Sequence, residues 1–180
     1  MRIIGGLYRH RLIDYPSDER ITRPTKDRIR ESIFNALGNI EDKVCLDLYA
    51  GSGSMGLEAL SRGARFCYFS DVSKDAVKCV QNNAKKLQIP DKNIKISMIS
   101  DLEMINSISF SKDKIDVVFI DPPYKEGHYQ EIVDLLFEKD IMANNAIIVV
   151  ETNSKLELKS SYKKIKEYKH GEIMVYILWY

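Results

Sequence analysis

Two short stretches of this 180-residue chain combine residue types and spacings that suit chemistry. "DLYAGSGSMG", residues 47–56, places three glycines directly after an apolar run, in the spacing GxGxxG of a ligand-binding loop. "IDPPY", residues 120–124, places a carboxylate, two prolines and an aromatic ring after another apolar run. Both patterns predict a polar loop at the end of a buried strand, so these loops are the first candidates for a functional site.

The glycine loop predicts a cofactor cradle, because glycine lets a backbone turn sharply and approach a ligand that a side chain would exclude. Asp71 ends the next apolar run, where a carboxylate can bind ribose hydroxyls, so NAD and S-adenosylmethionine are both candidates. Asp47 favours the second, since a buried carboxylate suits a cationic amino group and sulfonium and repels a pyrophosphate. Asp101 can accept from an adenine amine, or alternatively cap the helix that "SDLEM" begins.

The "DPPY" stretch suits methyl transfer to the exocyclic amine of a nucleobase. The Asp121 carboxylate and the Pro122 carbonyl can accept the two amine hydrogens, and these bonds strengthen as the nitrogen gains positive charge. Two prolines, Pro122 and Pro123, restrict the backbone, and Tyr124 offers a face for an extruded base. The alternative is a rigid strand-to-helix turn with a buried tyrosine.

Alternating apolar runs and amphipathic segments must position these loops. The pattern predicts strands at 44–49, 66–70, 93–99, 115–120 and 145–151, and helices at 54–63, 73–88, 101–108 and 129–138. The last segment, "YKKIKEYKHGEIMVYILWY", predicts two antiparallel strands joined at His170-Gly171. The sum is an α/β fold with a doubly wound, mostly parallel seven-stranded sheet and an antiparallel C-terminal hairpin. Ligands bind such sheets at the carboxyl ends of the strands, where the glycine loop and Asp121 should meet.

The N-terminal part predicts two further elements. Residues 1–13 alternate around Gly5-Gly6 and predict a short two-stranded ribbon. Thr25 can cap a helix that continues through about Leu37, with an apolar stripe on one side. The residues of that stripe are Ile29, Ile33, Phe34 and Leu37. We expect one domain over residues 1–180, with 1–22 as an extension.

Composition narrows the class of protein. Apolar residues make up 44% and charged residues 29%, the balance of a globular protein without a membrane span. The N-terminus does not read as a signal peptide. Cys45, Cys67 and Cys79 are odd in number and lack CxxC spacing, which predicts buried free thiols in a reducing cytosol. The three histidines lie far apart and show no ligand spacing, so we expect no metal site. We also expect a cytoplasmic protein that acts as a monomer.

Together these motifs resemble the class I S-adenosylmethionine-dependent methyltransferases. Within them the chain is closely similar to the bacterial small-subunit ribosomal RNA guanine-N2 methyltransferase D family. "RIIGG", "RPTKDRIRESIFNAL", "DLYAGSGSMGLEALSRGA", "DPPY" and "VVET" carry the resemblance over nearly the whole chain. It implies a Rossmann-like fold that moves a methyl group from S-adenosylmethionine to a guanine N2 amine in 16S rRNA, in assembling or assembled particles.

The resemblance also implies roles for individual residues. Asp71 would hold the ribose, although the family usually has the longer glutamate there. Asp101 would face the adenine, and residues 121–124 would hold the guanine amine. The cofactor-binding set is Asp47, Tyr49, Ala50, Gly51, Ser52, Gly53, Gly56, Asp71 and Asp101.

A basic N-terminal end fits an RNA substrate. Residues 1–36 carry eight Lys/Arg against five Asp/Glu, while the remainder carries 19 against 21. The alternatives are an ordinary solvated face, or pairing of Arg28 and Arg30 with Asp27 and Glu31. The candidate phosphate contacts are Arg2, Arg9, Arg11, Arg23, Lys26, Arg28 and Arg30.

Two other functions remain open at this point. The first is methylation of adenine N6 in DNA or RNA, which the "DPPY" motif alone does not separate from guanine N2. At this length we expect no target-recognition domain of the kind that a sequence-specific DNA enzyme carries, which argues against this function. The second is a noncatalytic RNA-binding assembly factor that keeps the fold, against which the intact Asp121 and glycine loop argue.

Overall fold

The computed structural model describes residues 1–16, 27–108, 113–122, 129–153, 155–156 and 162–180. Within these ranges, a seven-stranded mixed sheet carries helices on both faces. The strands are β1 (Val44–Leu48), β2 (Phe66–Ser70), β3 (Ile94–Ser97), β4 (Ile115–Ile120), β5 (Met142–Thr152), β6 (Lys164–His170) and β7 (Ile173–Trp179). The helices are α1 (Asp27–Leu37), α2 (Ser54–Ser61), α3 (Lys74–Leu87), α4 (Asp101–Ile108) and α5 (Tyr129–Glu138), with a 3₁₀ turn at Asp91–Asn93.

The strand order is β3-β2-β1-β4-β5-β7-β6. Strands β1 to β5 pair in parallel, and β7 pairs antiparallel with both β5 and β6. The predicted sheet with its C-terminal hairpin is therefore confirmed. The winding changes direction between β1 and β4, where Leu48 lies opposite Ile120. The loops that follow these two residues leave the sheet side by side, as ligand sites in such folds require.

The two faces of the sheet bury separate apolar layers. On the α1–α3 face, side chains such as Cys45, Phe69 and Phe119 pack against helices α1, α2 and α3. On the α4–α5 face, side chains such as Leu46 and Ile120 pack against α4 and α5. Strands β1, β2 and β4 are apolar on both faces because both are covered. All three cysteines are buried free thiols, as predicted.

The predicted ribbon at residues 1–13 is present and very short. Its two arms are joined by one antiparallel bridge, Arg2 to Leu12, with backbone hydrogen bonds of 3.0 Å from Ile3 to Arg11 and from Ile13 to Met1. Between them the chain forms a turn in which Gly6 has φ +74° and His10 has φ +70°. A Cβ on Gly6 would lie 1.8 Å from the carbonyl oxygen of Ser61, so this turn rests directly on α2.

Side chains of helix α2 accept from backbone N–H groups that follow the bridge. The Glu58 carboxylate accepts from the backbone N–H groups of Ile4 and Gly5 at 2.7 and 2.8 Å. The Ser61 hydroxyl accepts from the N–H of Tyr8 at 2.9 Å. Because these donors are satisfied by side chains, the strand pairing stops after one bridge.

Helix and strand limits otherwise follow the predictions closely. β1 ends at Leu48, one residue earlier than predicted, and β5 begins earlier than predicted, at Met142. The predicted apolar stripe of α1 is buried, while Thr25 lies outside the described residues. None of the described helices is long and apolar enough to cross a membrane.

Candidate functional site

The glycine loop is held in a conformation that favours glycine. Gly51 and Gly53 have φ +54° and +76°, in the left-handed region where other residues are strained. The N–H of Gly53 donates to the carbonyl of Ala50 at 2.6 Å, and the N–H of Ala50 donates to the carbonyl of Ser70 at 3.0 Å. From the far side, the Asn83 amide donates to the carbonyl of Ser52 at 3.0 Å. The loop is therefore a fixed cradle between β1 and α2.

Asp71 closes this cradle from the end of β2. Its Oδ2 accepts from the N–H of Gly51 at 2.9 Å, and its Oδ1 accepts from the N–H of Ser73 at 2.8 Å. Each carboxylate oxygen has a second lone pair. Asp71 can therefore hold the loop and still accept from ribose hydroxyls, as its predicted role requires.

Asp47 lies buried beneath the loop, with 3% of its surface exposed. Its Oδ2 accepts from the N–H of Gly56 at 2.9 Å. Burial raises the pKa of Asp47 to about 8, the Gly56 hydrogen bond opposes that rise, and the nearby Asp71 charge adds to it. A buried carboxyl of this kind is stabilised in its charged form by a cation, which is what a ligand amino group or sulfonium would provide.

Gly56 has a packing role rather than a turn role. A Cβ at this position would lie 2.3 Å from Cε1 of Phe69 and 2.6 Å from Sγ of Cys67, both in the core. Glycine lets α2 approach β2 closely, and this approach places the Gly56 N–H on Asp47. The three glycines therefore divide into two that shape the loop and one that seats the helix.

Tyr49 and Asp101 meet across the cradle. Tyr49 has φ +59°, a strained conformation for an aromatic residue, and its hydroxyl donates to Oδ2 of Asp101 at 2.6 Å. The alternative role of Asp101 as the cap of α4 is wrong. Ser100 caps the helix, with its Oγ accepting from the N–H of Glu103 at 3.3 Å and its own N–H donating to the Glu103 carboxylate at 2.9 Å. The Asp101 side chain is thus available to the cradle.

Asp121 stands at the end of β4, beside the glycine loop. The residue is half-buried and the following Pro122 is buried. Its neighbour across the strands is Glu151, because Ile120 pairs with Val150 and the next residues lie level on the same face. The other two predicted members of this group, Pro123 and Tyr124, lie outside the described residues.

The Asp121 carboxyl has an environment that favours its neutral form. Its pKa is raised well above the usual value, first by burial, then by the Glu151 carboxylate and by Asp47. Burial also raises the pKa of Tyr129, whose hydroxyl is hydrogen-bonded with Thr152. Three acids on adjacent strands β1, β4 and β5 thus meet at one edge of the sheet, an arrangement typical of a site that binds positive charge.

Some residues of this edge were missed by the sequence analysis. Glu151 is 5% exposed and follows an apolar run as Asp121 does, so its position in "VVET" was the available signal. Val72 and Met98 are 72% and 57% exposed, just beyond the ends of β2 and β3. Large apolar side chains this exposed beside a cradle favour a bound apolar ring, but periodicity alone assigns such residues to the core.

Arg30, one of the predicted phosphate contacts, is buried in the structure. Its side chain is fully buried, with Nη2 donating to Asp27 at 3.1 Å and Nε 3.9 Å from the Glu58 carboxylate. Burial lowers the pKa of Arg30, and the Glu58 and Asp27 carboxylates oppose that change. The predicted contact with RNA is therefore wrong for Arg30, and the alternative pairing with Asp27 is confirmed.

The other described basic residues are exposed, but they lie in two different places. Arg9 and Arg11 belong to the N-terminal turn, which rests on Ser61 at the end of α2. Arg11 also donates to the carbonyl oxygens of Leu87, at 3.1 Å, and Lys86, at the end of α3. Because α2 begins at the glycine loop and rises about 1.5 Å per residue, this turn lies about 12 Å from the loop.

Arg28 lies closer to the cradle. Arg30 contacts Glu58, and one helical turn later the Phe34 ring lies 4.9 Å from the Arg62 guanidinium, so α1 runs alongside α2 in the same direction. Arg28, in the first turn of α1, therefore lies near the start of α2. Arg2 is also exposed, with Nε 3.3 Å from Asp27. Arg23 and Lys26 lie outside the described residues.

Comparison with known proteins bears on this arrangement. The family model described as Conserved hypothetical protein 95 matches residues 1–179. Ribosomal RNA small subunit methyltransferase D of Haemophilus influenzae is 36% identical over 153 residues, 84% of this chain and 78% of that protein. The Escherichia coli K12 protein of the same name is 36% identical over 156 residues, 84% of this chain and 74% of that protein. The chain belongs to this methyltransferase D family.

Solved structures agree with the family assignment. A putative methyltransferase from Escherichia coli superimposes with a TM-score of 0.85 at 30% identity, covering 99% of this chain and 97% of that one. A putative methylase from Haemophilus influenzae has a TM-score of 0.79 at 32% identity, covering 99% and 96%. The resemblance drawn from the motifs is thus confirmed for family and fold.

Proposed function

We propose that this protein transfers a methyl group from S-adenosylmethionine to the exocyclic N2 amine of a guanine in 16S rRNA. The observation that carries the proposal is the pairing of Leu48 with Ile120, which sets the glycine loop beside Asp121. The names of the relatives support a small-subunit rRNA substrate. Such a substrate would make the enzyme cytoplasmic, and we expect it to act as a monomer without a metal.

The cradle has the donor set that S-adenosylmethionine needs. We assign the ribose hydroxyls to Asp71, and the adenine amine to Asp101, whose Oδ2 is already oriented by the Tyr49 hydroxyl. Val72 and Met98 would flank the adenine ring. Asp47 would face the charged end of the cofactor, since its buried carboxyl is ionised most easily beside a cation.

The chemistry follows from the groups around Asp121. When bound, S-adenosylmethionine supplies an electrophilic methyl group on a sulfonium. The Asp121 carboxylate and the Pro122 carbonyl would accept the two hydrogens of the guanine amine and hold its lone pair toward that methyl group. These hydrogen bonds strengthen as the nitrogen becomes positive, which stabilises the transition state more than the ground state. The face of Tyr124 would support the extruded base.

Proton release completes the reaction without a strong base. The methylated amine nitrogen carries an extra proton that it loses readily, to Asp121 or to water. The Asp121 carboxyl must be ionised before it can accept a hydrogen bond from the amine and stabilise the positive charge that develops there. Because its pKa is raised, the ionised carboxylate forms only at higher pH. The positively charged cofactor would lower that pKa by favouring the carboxylate.

The decisive experiment maps the product. Small subunits and small-subunit rRNA that lack the native modification would be incubated with the protein and isotope-labelled S-adenosylmethionine, and the labelled nucleotide identified. We expect N2-methylguanine at one position. Label on adenine N6 would replace guanine as the substrate, and a chain that binds rRNA without transferring label would be a noncatalytic assembly factor. Comparison of the two substrates also shows whether assembled particles are preferred.

A further inference from the structure

The C-terminal hairpin of β6 and β7 has an asymmetric distribution of charge. Lys164, Lys166 and Tyr168 lie opposite Trp179, Ile177 and Val175 on β7. Those β7 residues belong to the α1–α3 face, so the three β6 side chains share it. Glu167 lies opposite Tyr176, which belongs to the α4–α5 face. On the α1–α3 face, the described hairpin strands carry two lysines, aromatic and aliphatic side chains, and no acid.

Two of these lysines stack on an aromatic ring. Nζ of Lys164 and Nζ of Lys166 lie 4.9 and 5.9 Å from the centre of the Trp179 ring. Across the part of the chain that the structure describes, neither lysine forms an ion pair, whereas Lys43 and Lys86 each lie 3.0 Å from an aspartate. We call Lys164, Lys166, Tyr168 and Trp179 the hairpin surface.

One end of the hairpin surface is level with the site. Tyr168 lies opposite Val175, Val175 lies opposite Glu151, and Glu151 is level with Asp121, all on the same face of the sheet. Three strand spacings separate Tyr168 from Asp121, a distance of about 14 Å. Lys166 and Lys164 lie two and four residues before Tyr168 on β6, about 7 and 13 Å toward the opposite edge. Nucleotides a few positions away from a base held at Asp121 would therefore pass within reach of these lysines.

Charge along the chain agrees with this placement. Residues 153–180 carry six lysines against three glutamates, while residues 37–152 carry 13 Lys/Arg against 18 Asp/Glu. The C-terminal segment is therefore a second basic segment, separated from the N-terminal one by an acidic middle. Basic side chains interleaved with aromatic rings are the usual surface for a single nucleic-acid strand, whose phosphates bind cations and whose bases stack.

We propose that the hairpin surface binds the substrate RNA strand a few nucleotides from the target, with Lys164 and Lys166 on phosphates and the exposed part of Tyr168 beside a base. This inference rests on the proposed RNA substrate. Lysines on an edge strand also prevent sheet-to-sheet association, but charge on either face serves that purpose. What favours RNA is that Lys164 and Lys166 share the face of Asp121 with Trp179 and Tyr168, while Glu167 lies on the other face.

The test measures RNA affinity separately from catalysis. Binding of small-subunit rRNA to the full chain would be followed by filter binding, without cofactor, from about 50 to about 200 mM salt. We expect the double variant Lys164→Ala, Lys166→Ala to bind roughly tenfold more weakly at the low end of that range. We also expect the slope of log affinity against log salt to become shallower by about 1.4, the value for two phosphate contacts on a single strand. Binding of S-adenosylhomocysteine should be unchanged.

The matched control is the double variant Lys92→Ala, Lys95→Ala, which removes the same charge at the opposite edge of the sheet. It should bind rRNA as the wild type does; equal losses in both variants would show a general charge effect and overturn the proposal. Wild-type rRNA affinity and an unchanged salt slope in the hairpin variant would also overturn the proposal. If that variant in addition self-associated, the lysines would only protect the edge strand from pairing with another molecule. A loss seen with assembled subunits but not with rRNA would assign the surface to a ribosomal protein.

A second variant guards against misfolding. Lys164→Gln with Lys166→Gln keeps the side-chain stems over Trp179, should melt like the wild type, and should still lose rRNA affinity. The outcomes also separate this proposal from the proposed function. A wild-type chain that binds rRNA and transfers no methyl group contradicts the proposed function alone, whereas normal methylation with unchanged affinity in the variant contradicts the hairpin surface alone. A wild-type chain that binds neither rRNA nor assembled small subunits contradicts both.

Discussion

At the residue scale, the proposed chemistry depends on the charge of Asp121. We expect Asp121→Asn to lower the methylation rate by roughly 10²–10³, because the amide replaces one acceptor by a donor and removes the charge that stabilises the developing cation. S-adenosylhomocysteine should bind within a few-fold of wild type. Single-turnover methylation and calorimetric titration measure the two effects. Asp116→Asn, at the other end of the same strand, is the matched control and should keep the wild-type rate.

Asp121 also predicts how the wild-type rate depends on pH. Because burial and Glu151 raise its pKa, the fraction of ionised carboxylate grows as pH rises, and the rate should grow with it. A rate that stays constant from about pH 6 to about pH 9 would show that ionisation of Asp121 does not limit the reaction.

Asp47 leads to a prediction about cofactor binding. Its pKa of about 8 means that the carboxyl is mostly neutral in the cofactor-free protein near neutral pH. A cationic ligand requires the ionised form, so the affinity for S-adenosylhomocysteine should rise as pH approaches about 8 and then level off. Titration calorimetry at several pH values measures this rise, and Asp47→Asn should bind more weakly and without it.

The same pKa sets the sign of the effect of Asp47 on stability. A carboxyl whose pKa is raised by folding stabilises the native state at low pH, and this stabilisation is lost as pH rises through the folded pKa of about 8. The melting temperature of Asp47→Asn minus that of the wild type should therefore increase as pH increases. A difference in melting temperature that is independent of pH would contradict this account.

At the element scale, α1 carries two arginines with different surroundings. Arg30→Ala leaves the fully buried Glu58 without one of its cationic neighbours, so it should destabilise the fold by about 3 kcal/mol or more. Arg28→Ala, two residues away and exposed, should leave the melting temperature unchanged and weaken rRNA binding about threefold, the effect of one phosphate contact. Thermal melts and filter binding of both variants measure the contrast. Equal losses of stability would contradict it.

The contrast in α1 also shows what the sequence could and could not predict. The helices and strands followed from their periods, and the glycine loop and Asp121 followed from their positions at strand ends. Arg30 was assigned to the surface because of its charge, although it lies three and four residues before Ile33 and Phe34, on the buried stripe. Its position on the helix was the better signal than its residue type.

The short length of the predicted ribbon has a different cause. Just beyond its bridge, the N–H groups of Ile4 and Gly5 donate to Glu58, more than 50 residues away in the chain, and no local pattern reveals such a contact. The strained Tyr49 and its hydrogen bond to Asp101 are likewise set by tertiary structure. Local sequence predicted where the site lies, while the contacts that hold it required the fold.

At the scale of the whole molecule, basic segments at both ends of the chain flank an acidic middle. Arg28 lies in the first turn of α1, which packs on β4 through Phe34 and Phe119, with ring centres 5.8 Å apart. The hairpin surface lies beyond Glu151, so both basic surfaces are on the face of the sheet that Asp121 occupies. An RNA strand that enters the site would then contact both surfaces at once. Its affinity should fall steeply with salt, while that of S-adenosylhomocysteine, held at a buried site, should change little.

A variant that combines the substitutions of both surfaces tests whether a single RNA contacts both at once. Sites this far apart act independently, so the losses of Arg28→Ala and of the Lys164→Ala, Lys166→Ala pair should multiply, to about thirtyfold at low salt. If RNA instead bound either surface alternately, each surface would compensate for the other. Each loss alone would then be small and the combined loss much larger than their product. Filter binding of the wild type, the two separate variants and the combined variant distinguishes these cases. We expect the multiplicative one because both surfaces lie on the same face of the sheet as Asp121.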